Sequence, residues 1–270
     1  TGQILYDSLV APLKRWTEGK RLIVVPSGRL NTLPFGALSS NRRYLLEECD
    51  LSVIPNVSTL QFVRTPKRIT SRSSVLAVGN PHNPHVSRLP GAEQEVVAIR
   101  SVFEGASLLI GDAASESRVR EAMASYDIVH GACHGLFNYE YPILSSLALT
   151  PDAENDGFLQ VHELYNLNLL RTSLVVLSAC ETGLSQIKKN DDMIGFIRGF
   201  FYAGVPSTVA SLWKVDDRAT SSLMSNFHLL LKLGNSKSQA LRKSQMQLRR
   251  AESTSHPFYW AAFVLYGNPE

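Results

Sequence analysis

Residues 174–183 read LVVLSACETG, an apolar run that ends in a cysteine followed by polar residues. A short run that is apolar at every position is typical of a strand covered on both faces. Small residues precede Cys180, and Gly183 follows it, so the chain can turn sharply just after the thiol. The stretch therefore predicts an α/β fold in which this strand delivers Cys180 to the edge of a sheet.

A second apolar stretch, residues 126–133 (YDIVHGAC), leads into His134-Gly135. His134 precedes Cys180 by 46 positions (180 − 134). A cysteine nucleophile needs a base that is near in space rather than in sequence, and neighbouring strands provide that proximity. Ligand and catalytic groups of open α/β sheets gather at the carboxyl ends of the strands. The two stretches predict Cys180 as a nucleophile and His134 as its base.

Two backbone N–H groups complete this hypothesis. Those of Gly135 and Cys180 are predicted to hold a developing oxyanion. A backbone carbonyl can orient the imidazole of His134, so no acidic third member is required. Cys49 and Cys133 have no comparable sequence context, and we predict that both are inert.

His130 is the competing candidate for the base. If residues 128–134 form one regular strand, His130 and His134 share a face and lie about 13 Å apart, at about 3.3 Å per residue. Both cannot serve one thiol, and we predict that His130 is an inward-facing core histidine. Cys133 would then point to the opposite face, which argues against a zinc site. We predict no metal and no cofactor.

Apolar runs alternate with amphipathic segments along the whole chain, which predicts a mostly parallel sheet with helices on both faces. Ser115 and Asp216 are candidate helix N-caps, and Gly204 and Gly234 are candidate helix ends. The polar residues 64–73 are either a linker or a surface loop. The predicted strands lie at 21–26, 51–54, 74–79, 128–132, 174–179, 207–213 and 261–266, and the helical segments at 92–103, 115–125, 192–203 and 218–250.

Composition narrows the class of protein. The chain has 270 residues, 44% of them hydrophobic, and 27 Lys and Arg against 24 Asp and Glu. This balance does not favour a nucleic-acid partner. Three cysteines indicate a reducing compartment, and no apolar run reaches the roughly 18–20 residues of a membrane span. Since no signal-like segment opens the chain and Thr1 replaces the usual Met, we expect a cytoplasmic domain of a longer protein, without membrane contact.

Residues 209–217 (VASLWKVDD) form a further predicted strand that ends in polar residues. Beside the cysteine strand, they would place Trp213 and the Asp216/Asp217 pair near the substrate cleft. An acidic group there favours a basic substrate side chain through a charge-assisted hydrogen bond. Alternatively, the aspartates cap the following helix and Trp213 fills the core. In a third arrangement, one aspartate caps the helix and the other faces the cleft.

Seven short motifs follow one another in a fixed order along nearly the whole chain. They are LIVVPSG (22–28), LPFGAL (33–38), LPGAEQE (89–95), HG (134–135), SACETG (178–183), ASLWKVDD (210–217) and HPFYWAAF (256–263). Together these motifs resemble the CHAT family, which comprises caspase-like peptidase domains often attached to TPR repeats and more distantly related to separase. One departure is Cys133, which stands where many members carry Thr or another small residue.

The resemblance implies a caspase-like three-layer α/β sandwich with a mostly parallel central sheet flanked by helices. Residues 1–120 would form an N-terminal pseudo-caspase-like or regulatory half, and residues 121–270 the catalytic half. His134 would be the base and Cys180 the nucleophile. By similarity to separase, Asp217 or Asp216 would line the S1 pocket.

The function predicted from these residues is that of a cysteine endopeptidase. The resemblance implies cleavage of a partner protein or peptide in a bacterial signalling or defence pathway, controlled by an attached repeat region or a partner protein. The alternative is a catalytically silent, protease-like scaffold or sensor that mediates protein–protein interaction, although the intact Cys–His pair argues against it. An acyltransferase or another hydrolase with the same dyad would differ only in its substrate.

Overall fold

The computed structural model describes residues 2–17, 19–62, 65, 67–138, 140–178 and 191–270. The strands in this part of the chain are β1 (Leu22–Val24), β2 (Ser39–Ser40), β3 (Arg43–Tyr44), β4 (Leu51–Val53), β5 (Val75–Gly79), β6 (Ser107–Ile110), β7 (Ile128–Ala132), β8 (His134–Leu136), β9 (Ser146–Ala148), β10 (Phe158–Gln160), β11 (Leu174–Leu177), β12 (Ser207–Ser211) and β13 (Phe263–Gly267). The α-helices there are α1 (Gly2–Leu9), α2 (Lys14–Thr17), α3 (Leu45–Glu48), α4 (Thr59–Phe62), α5 (Pro90–Val102), α6 (Glu116–Met123), α7 (Val161–Leu164), α8 (Asp191–Tyr202), α9 (Asp217–Lys232), α10 (Lys237–Arg250) and α11 (Pro257–Trp260).

An eight-stranded sheet forms the centre of the fold, in the order β1-β4-β13-β12-β11-β7-β5-β6. Among the described strands, six of its seven neighbouring pairs are parallel, and only β12 and β13 run antiparallel. The four strands β5, β7, β11 and β12 are buried along their whole length, as expected for strands that helices cover on both faces. β1 and β4 extend the sheet beyond β13, so strands from residues 1–120 and from residues 121–270 share one sheet.

Helices cover both faces of this sheet. Neighbouring residues of β11 divide between two cores, since side chains alternate along a strand: Val175 faces one core and Val176 the other. The first core includes residues of α6, α7 and α8, and the second includes residues of α5, α9 and α10. The predicted three-layer sandwich is therefore confirmed. None of the helices in the described ranges is long and apolar enough to cross a membrane.

The boundaries of α9 follow from the residues at its two ends. The Asp216 carboxylate accepts hydrogen bonds from the N–H groups of Arg218 and Ala219, at 3.1 and 3.0 Å. Near the other end, Gly234 has φ of +83°, a conformation that glycine adopts without strain. The predicted helical stretch 218–250 is therefore divided into α9 and α10, and the predicted helix end at Gly234 is confirmed.

The strand that carries His130 has the predicted bounds 128–132, but it does not continue to His134. β7 ends at Ala132, and His134 begins β8, which belongs to a separate antiparallel sheet in the order β10-β9-β8. There His134 pairs with Ala148 of β9, which draws the chain away from the central sheet. The prediction that residues 128–134 form one regular strand is therefore wrong beyond Ala132.

The buried carboxylate of Asp127 links the residues that precede β5 and β7. Asp127 is only 3% exposed, and its Oδ2 accepts hydrogen bonds from the N–H and the hydroxyl of Ser74, at 2.8 and 3.1 Å. Its Oδ1 lies 3.3 Å from Lys67 Nζ. Burial raises the pKa of Asp127, but the hydrogen bonds from Ser74 and the charge of Lys67 outweigh it, and the pKa lies below its ordinary value.

We expect Asp127→Asn to lower the free energy of unfolding at pH 7 by about 2 kcal/mol, a typical value for charge-assisted hydrogen bonds. Because the folded-state pKa is lowered, the carboxylate stabilises the protein above the unfolded-state pKa of about 4, and this contribution disappears as the pH falls below it. Urea unfolding at several pH values would show the difference from wild type closing in acid. The exposed Asp7→Asn is the control, and a pH-independent difference for Asp127→Asn would contradict the prediction.

Candidate active site

The strands that lead to His134 and Cys180 are neighbours. β7 and β11 run parallel, with Leu177 opposite Gly131, an offset of 46 positions (177 − 131). The Ser178 N–H continues this pairing by donating to the Gly131 carbonyl at 2.9 Å. The same offset separates His134 from Cys180 in the sequence (180 − 134). The predicted adjacency of the two strands is therefore found, while Cys180 itself lies outside the described residues.

The His134 ring is buried, with 4% of the residue exposed, and it is oriented by a backbone carbonyl. Its Nε2 lies 2.7 Å from the carbonyl oxygen of Ser87. Because a carbonyl only accepts hydrogen bonds, Nε2 carries the proton, and the neutral ring has its lone pair on Nδ1. Nδ1 is buried and has no hydrogen-bond partner among the described residues. A ring held in this way can accept a proton at Nδ1.

The loop that presents the Ser87 carbonyl is held by two asparagines. Asn80 has φ of +47°, a conformation that Asn tolerates better than most residues, and its Oδ1 accepts from the Leu89 N–H at 2.7 Å. The buried Asn83 Nδ2 donates to the carbonyls of Leu149 and Gly157, at 2.9 and 3.1 Å. These bonds fix the loop on both sides of Ser87, and with it the tautomer of the candidate base.

His130 is fully buried, and both of its ring nitrogens have partners. Nε2 lies 2.8 Å from Glu95 Oε1, and Nδ1 lies 3.1 Å from Nε2 of His228. Burial, together with the neighbouring His130, holds the pKa of His228 well below its ordinary value, so His228 is neutral at pH 7. The prediction that His130 is a core histidine rather than the base agrees with this arrangement.

Two groups near the site were not singled out as functional from the sequence. Glu95 lies with Val96 and Ile99 among the buried residues of α5, and a carboxylate among such neighbours is a recognisable signal. Ser87 contributes a main-chain oxygen, which no side-chain pattern could reveal.

The candidate substrate-binding aspartates have different surroundings. The Asp216 carboxylate caps α9, whereas Asp217 is exposed at the first position of that helix. Asp217 lies against Gly91, where an added Cβ would stand 2.6 Å from Asp217 Oδ2. Gly91 is four residues from Ser87, a span of at most about 14 Å of extended chain. One short segment therefore contacts the His134 ring at one end and the Asp217 carboxylate at the other.

The contacts of Trp213 and Gly135 differ from those of the two aspartates. Trp213 is half-buried against the core that contains α9 and α10, and its Nε1 donates to the Phe258 carbonyl at 3.0 Å. These contacts favour the core-packing alternative for Trp213. Gly135 is buried in β8 opposite Leu147. The oxyanion-binding role of Gly135 and Cys180 stays a prediction.

The two other thiols are poor nucleophiles. Cys49 and Cys133 are both buried, and burial raises the pKa of each to about 12. Almost none of either is thiolate at pH 7. Within the part of the chain that the structure describes, no group of three or more His, Cys, Asp or Glu side chains could hold a metal ion.

Two of the solved structures with a similar fold are separase and gingipain R. Saccharomyces cerevisiae separase, from its complex with securin, superposes with a TM-score of 0.62 at 16% identity, covering 93% of this chain and 16% of that chain. The Arg-specific cysteine proteinase gingipain R superposes with a TM-score of 0.57 at 10% identity, covering 87% of this chain and 57% of that chain. At these identities the likeness concerns the fold alone.

One curated sequence relative is named as a repeat protein. Human tetratricopeptide repeat protein 28 is 28% identical in an alignment that covers 98% of this chain and 13% of that protein. The chain therefore spans only a small part of the length of this relative. The family model of the CHAT domain matches residues 1–268 of this chain. On this match over nearly its whole length, the chain belongs to the CHAT domain family.

Proposed function

We propose that this chain is a cysteine endopeptidase domain with a His134–Cys180 dyad. The observation that carries the proposal is the state of the His134 ring. Its Nε2 is bound to a backbone carbonyl, and its Nδ1 has no partner among the described residues. This ring follows the strand adjacent to the one that leads to Cys180, with the same offset of 46 positions in register and in sequence (177 − 131 and 180 − 134).

In the proposed reaction, His134 Nδ1 takes the proton of the Cys180 thiol, and the sulfur attacks the scissile carbonyl carbon. The N–H groups of Gly135 and Cys180 hold the oxyanion of the tetrahedral intermediate. The imidazolium then returns its proton to the leaving amine as the C–N bond breaks, which leaves a thioester on Cys180. A water molecule, deprotonated by His134, hydrolyses this thioester and regenerates the thiol.

Asp217 is the better of the two S1 candidates. Its carboxylate is exposed, whereas that of Asp216 is engaged in capping α9. A carboxylate that is free to pair favours Arg or Lys at P1 through a charge-assisted hydrogen bond. Gingipain R, which shares the fold, is named as Arg-specific. Trp213 would contribute by supporting the wall of this region rather than by contacting substrate.

The proposal also covers the partners of this domain and the control of its activity. The human relative is named as a tetratricopeptide repeat protein, and the separase neighbour is in complex with securin. Both facts support a protein substrate and control by a repeat region or a partner protein. The regulatory role of residues 1–120, the bacterial signalling or defence pathway and the cytoplasmic location stay predictions.

Labelling with peptide chloromethyl ketones tests the proposal. Probes with Arg, Lys, Leu or Met at P1 are incubated with the folded protein, and the labelled residue is found by mass spectrometry. We expect Cys180 to be alkylated, with the Arg or Lys probe fastest, and the buried Cys49 and Cys133 to stay unmodified. Asp217→Asn should remove the preference for basic probes. Asp216→Asn is the matched control, because asparagine caps helices as well as aspartate does.

Cleavage of a protein substrate gives the decisive result. A Cys180→Ala variant that cleaves as fast as the wild type would overturn the dyad. If no probe labels Cys180 in the isolated domain or in the full-length protein, the result would instead support the scaffold or sensor alternative.

A further inference from the structure

Glu95 is a buried carboxylate that faces the central sheet from α5. The residue is 4% exposed, and each carboxylate oxygen has one partner. Oε1 lies 2.8 Å from Nε2 of His130, and Oε2 accepts a hydrogen bond of 3.1 Å from the Ser178 hydroxyl. The carboxylate therefore bridges a side chain of β7 and the first residue after β11.

The hydrogen bonds around Glu95 have a consistent direction. A carboxylate only accepts, so His130 Nε2 and the Ser178 hydroxyl both donate to it. His130 Nδ1 can then accept from Nε2–H of the neutral His228, 3.1 Å away on α9. His130 and Ser178 are thus oriented toward the Glu95 carboxylate, and His228 is oriented toward His130, which restricts the rotamers of all three side chains.

The two strands that Glu95 connects are those that precede the two residues of the proposed dyad in the chain. His130 lies four residues before His134, and Ser178 lies two residues before Cys180. Main-chain pairing already aligns these strands up to the bond from Ser178 N–H to the Gly131 carbonyl, at 2.9 Å. The carboxylate adds a side-chain link at the point where the described part of β11 ends.

The helix that supplies Glu95, together with the loop before it, also contacts other residues of the proposed site. At its amino end, Gly91 lies against the Asp217 carboxylate, and the loop just before it contains Ser87, the partner of His134. α5 and the loop before it therefore contact the base, the S1 candidate and the residue that follows β11.

Fold stability alone does not account for such a residue. Taking a carboxylate out of water is unfavourable even when it is paired, and apolar residues of similar volume hold neighbouring elements at least as well. Val96 and Ile99 of the same helix are fully buried and supply apolar packing against the sheet. A role in fixing geometry explains what packing does not.

We propose that Glu95 is a positioning residue, which, through its bond to Ser178 and its support by His130, holds the end of β11 where the nucleophile meets His134. The inference rests on the proposed function, because it concerns the geometry of that dyad. Glu95 and Ser178 take no part in bond making or breaking.

The experiment compares Ser178→Ala with Ser178→Thr, which keeps a hydroxyl, and with Ser244→Ala. Ser244 is a matched control because it is a buried serine whose hydroxyl also makes a hydrogen bond, to the Ala240 carbonyl at 2.8 Å, on α10. For a peptide with the preferred P1 residue, we expect Ser178→Ala to lower kcat by ~10²-fold, the scale of an ångström-sized misplacement. KM should change by less than about threefold, since substrate contacts persist. Ser178→Thr should recover most of kcat.

A second measurement does not depend on turnover. The rate at which iodoacetamide alkylates Cys180 at pH 7 reports how well His134 generates the thiolate. We expect this rate to fall in Ser178→Ala and in Glu95→Gln, which keeps the shape of the side chain but weakens its hydrogen bonds. It should stay at the wild-type value in Ser244→Ala and recover in Ser178→Thr.

The outcomes separate the two proposals. If Ser178→Ala keeps the wild-type kcat and alkylation rate while Cys180→Ala is inactive, the positioning role is overturned. The proposed peptidase activity is unaffected by that result. Equal losses in Ser178→Ala and Ser244→Ala, matched by equal losses of thermal stability, would also overturn the positioning role. A fully active Cys180→Ala would overturn the peptidase itself.

Discussion

His134→Ala is expected to lower kcat/KM for peptide cleavage by about 10²–10⁴-fold, the usual contribution of a general acid–base residue. The ring is the proposed acceptor of the thiol proton, and its Nδ1 has no other partner among the described residues. Its orientation depends on the bond from Nε2 to the Ser87 carbonyl, 2.7 Å away. Measuring kcat and KM separately should show the loss in kcat, because His134 acts on the reacting atoms.

Added imidazole makes this prediction more specific. Removal of a buried ring leaves a space next to the Ser87 carbonyl that a free imidazole can fill, so part of the lost rate should return in a saturable manner. His162→Ala, which removes an exposed histidine of α7, is the matched control and should behave like the wild type with and without imidazole. Wild-type cleavage by His134→Ala would refute the assignment of the base.

Gly267→Ala is expected to destabilise the fold by roughly 2–5 kcal/mol, the sum of a strained backbone and a clash. Gly267 closes β13 with φ of +89° and pairs with Ser207 of β12. An added Cβ would stand 2.3 Å from the Pro206 carbonyl oxygen and 2.9 Å from the ring of Phe201. The main-chain oxygen cannot move without disturbing the antiparallel pair of the sheet.

Urea and thermal unfolding would measure this effect. The control is Gly105→Ala, at an exposed glycine with no heavy atom within 4 Å of an added Cβ, and it should change the free energy of unfolding by less than about 1 kcal/mol. Equal stability of the two variants would mean that the end of β13 adapts to the side chain, contrary to the geometry described.

Much of the secondary structure could be predicted because its cause is local. Residues 75–79, 128–132, 174–177 and 207–211 are short runs of mostly apolar or small residues, typical of a sheet covered on both faces, and all four are buried strands. The N-cap at Asp216 and the helix end near Gly234 follow from the chemistry of those residues alone.

The break after Ala132 could not be predicted from the same reasoning. Side-chain alternation in residues 128–134 is compatible with one continuous strand, and only the pairing of His134 with Ala148 moves it to another sheet. Likewise, β4 lies beside β13, more than 200 residues away, because the two strands pair through main-chain groups that carry no sequence signature.

The sequence by itself determined which residue types are available for catalysis and which strands carry them: a thiol at 180, a histidine at 134 and apolar strands before both. The tertiary structure decided how they are oriented. It assigned a backbone carbonyl at Ser87 to His134 and a buried carboxylate at Glu95 to Ser178 and His130. The physical reason is that propensity and periodicity act over a few residues, whereas hydrogen-bond partners are chosen by distance in space.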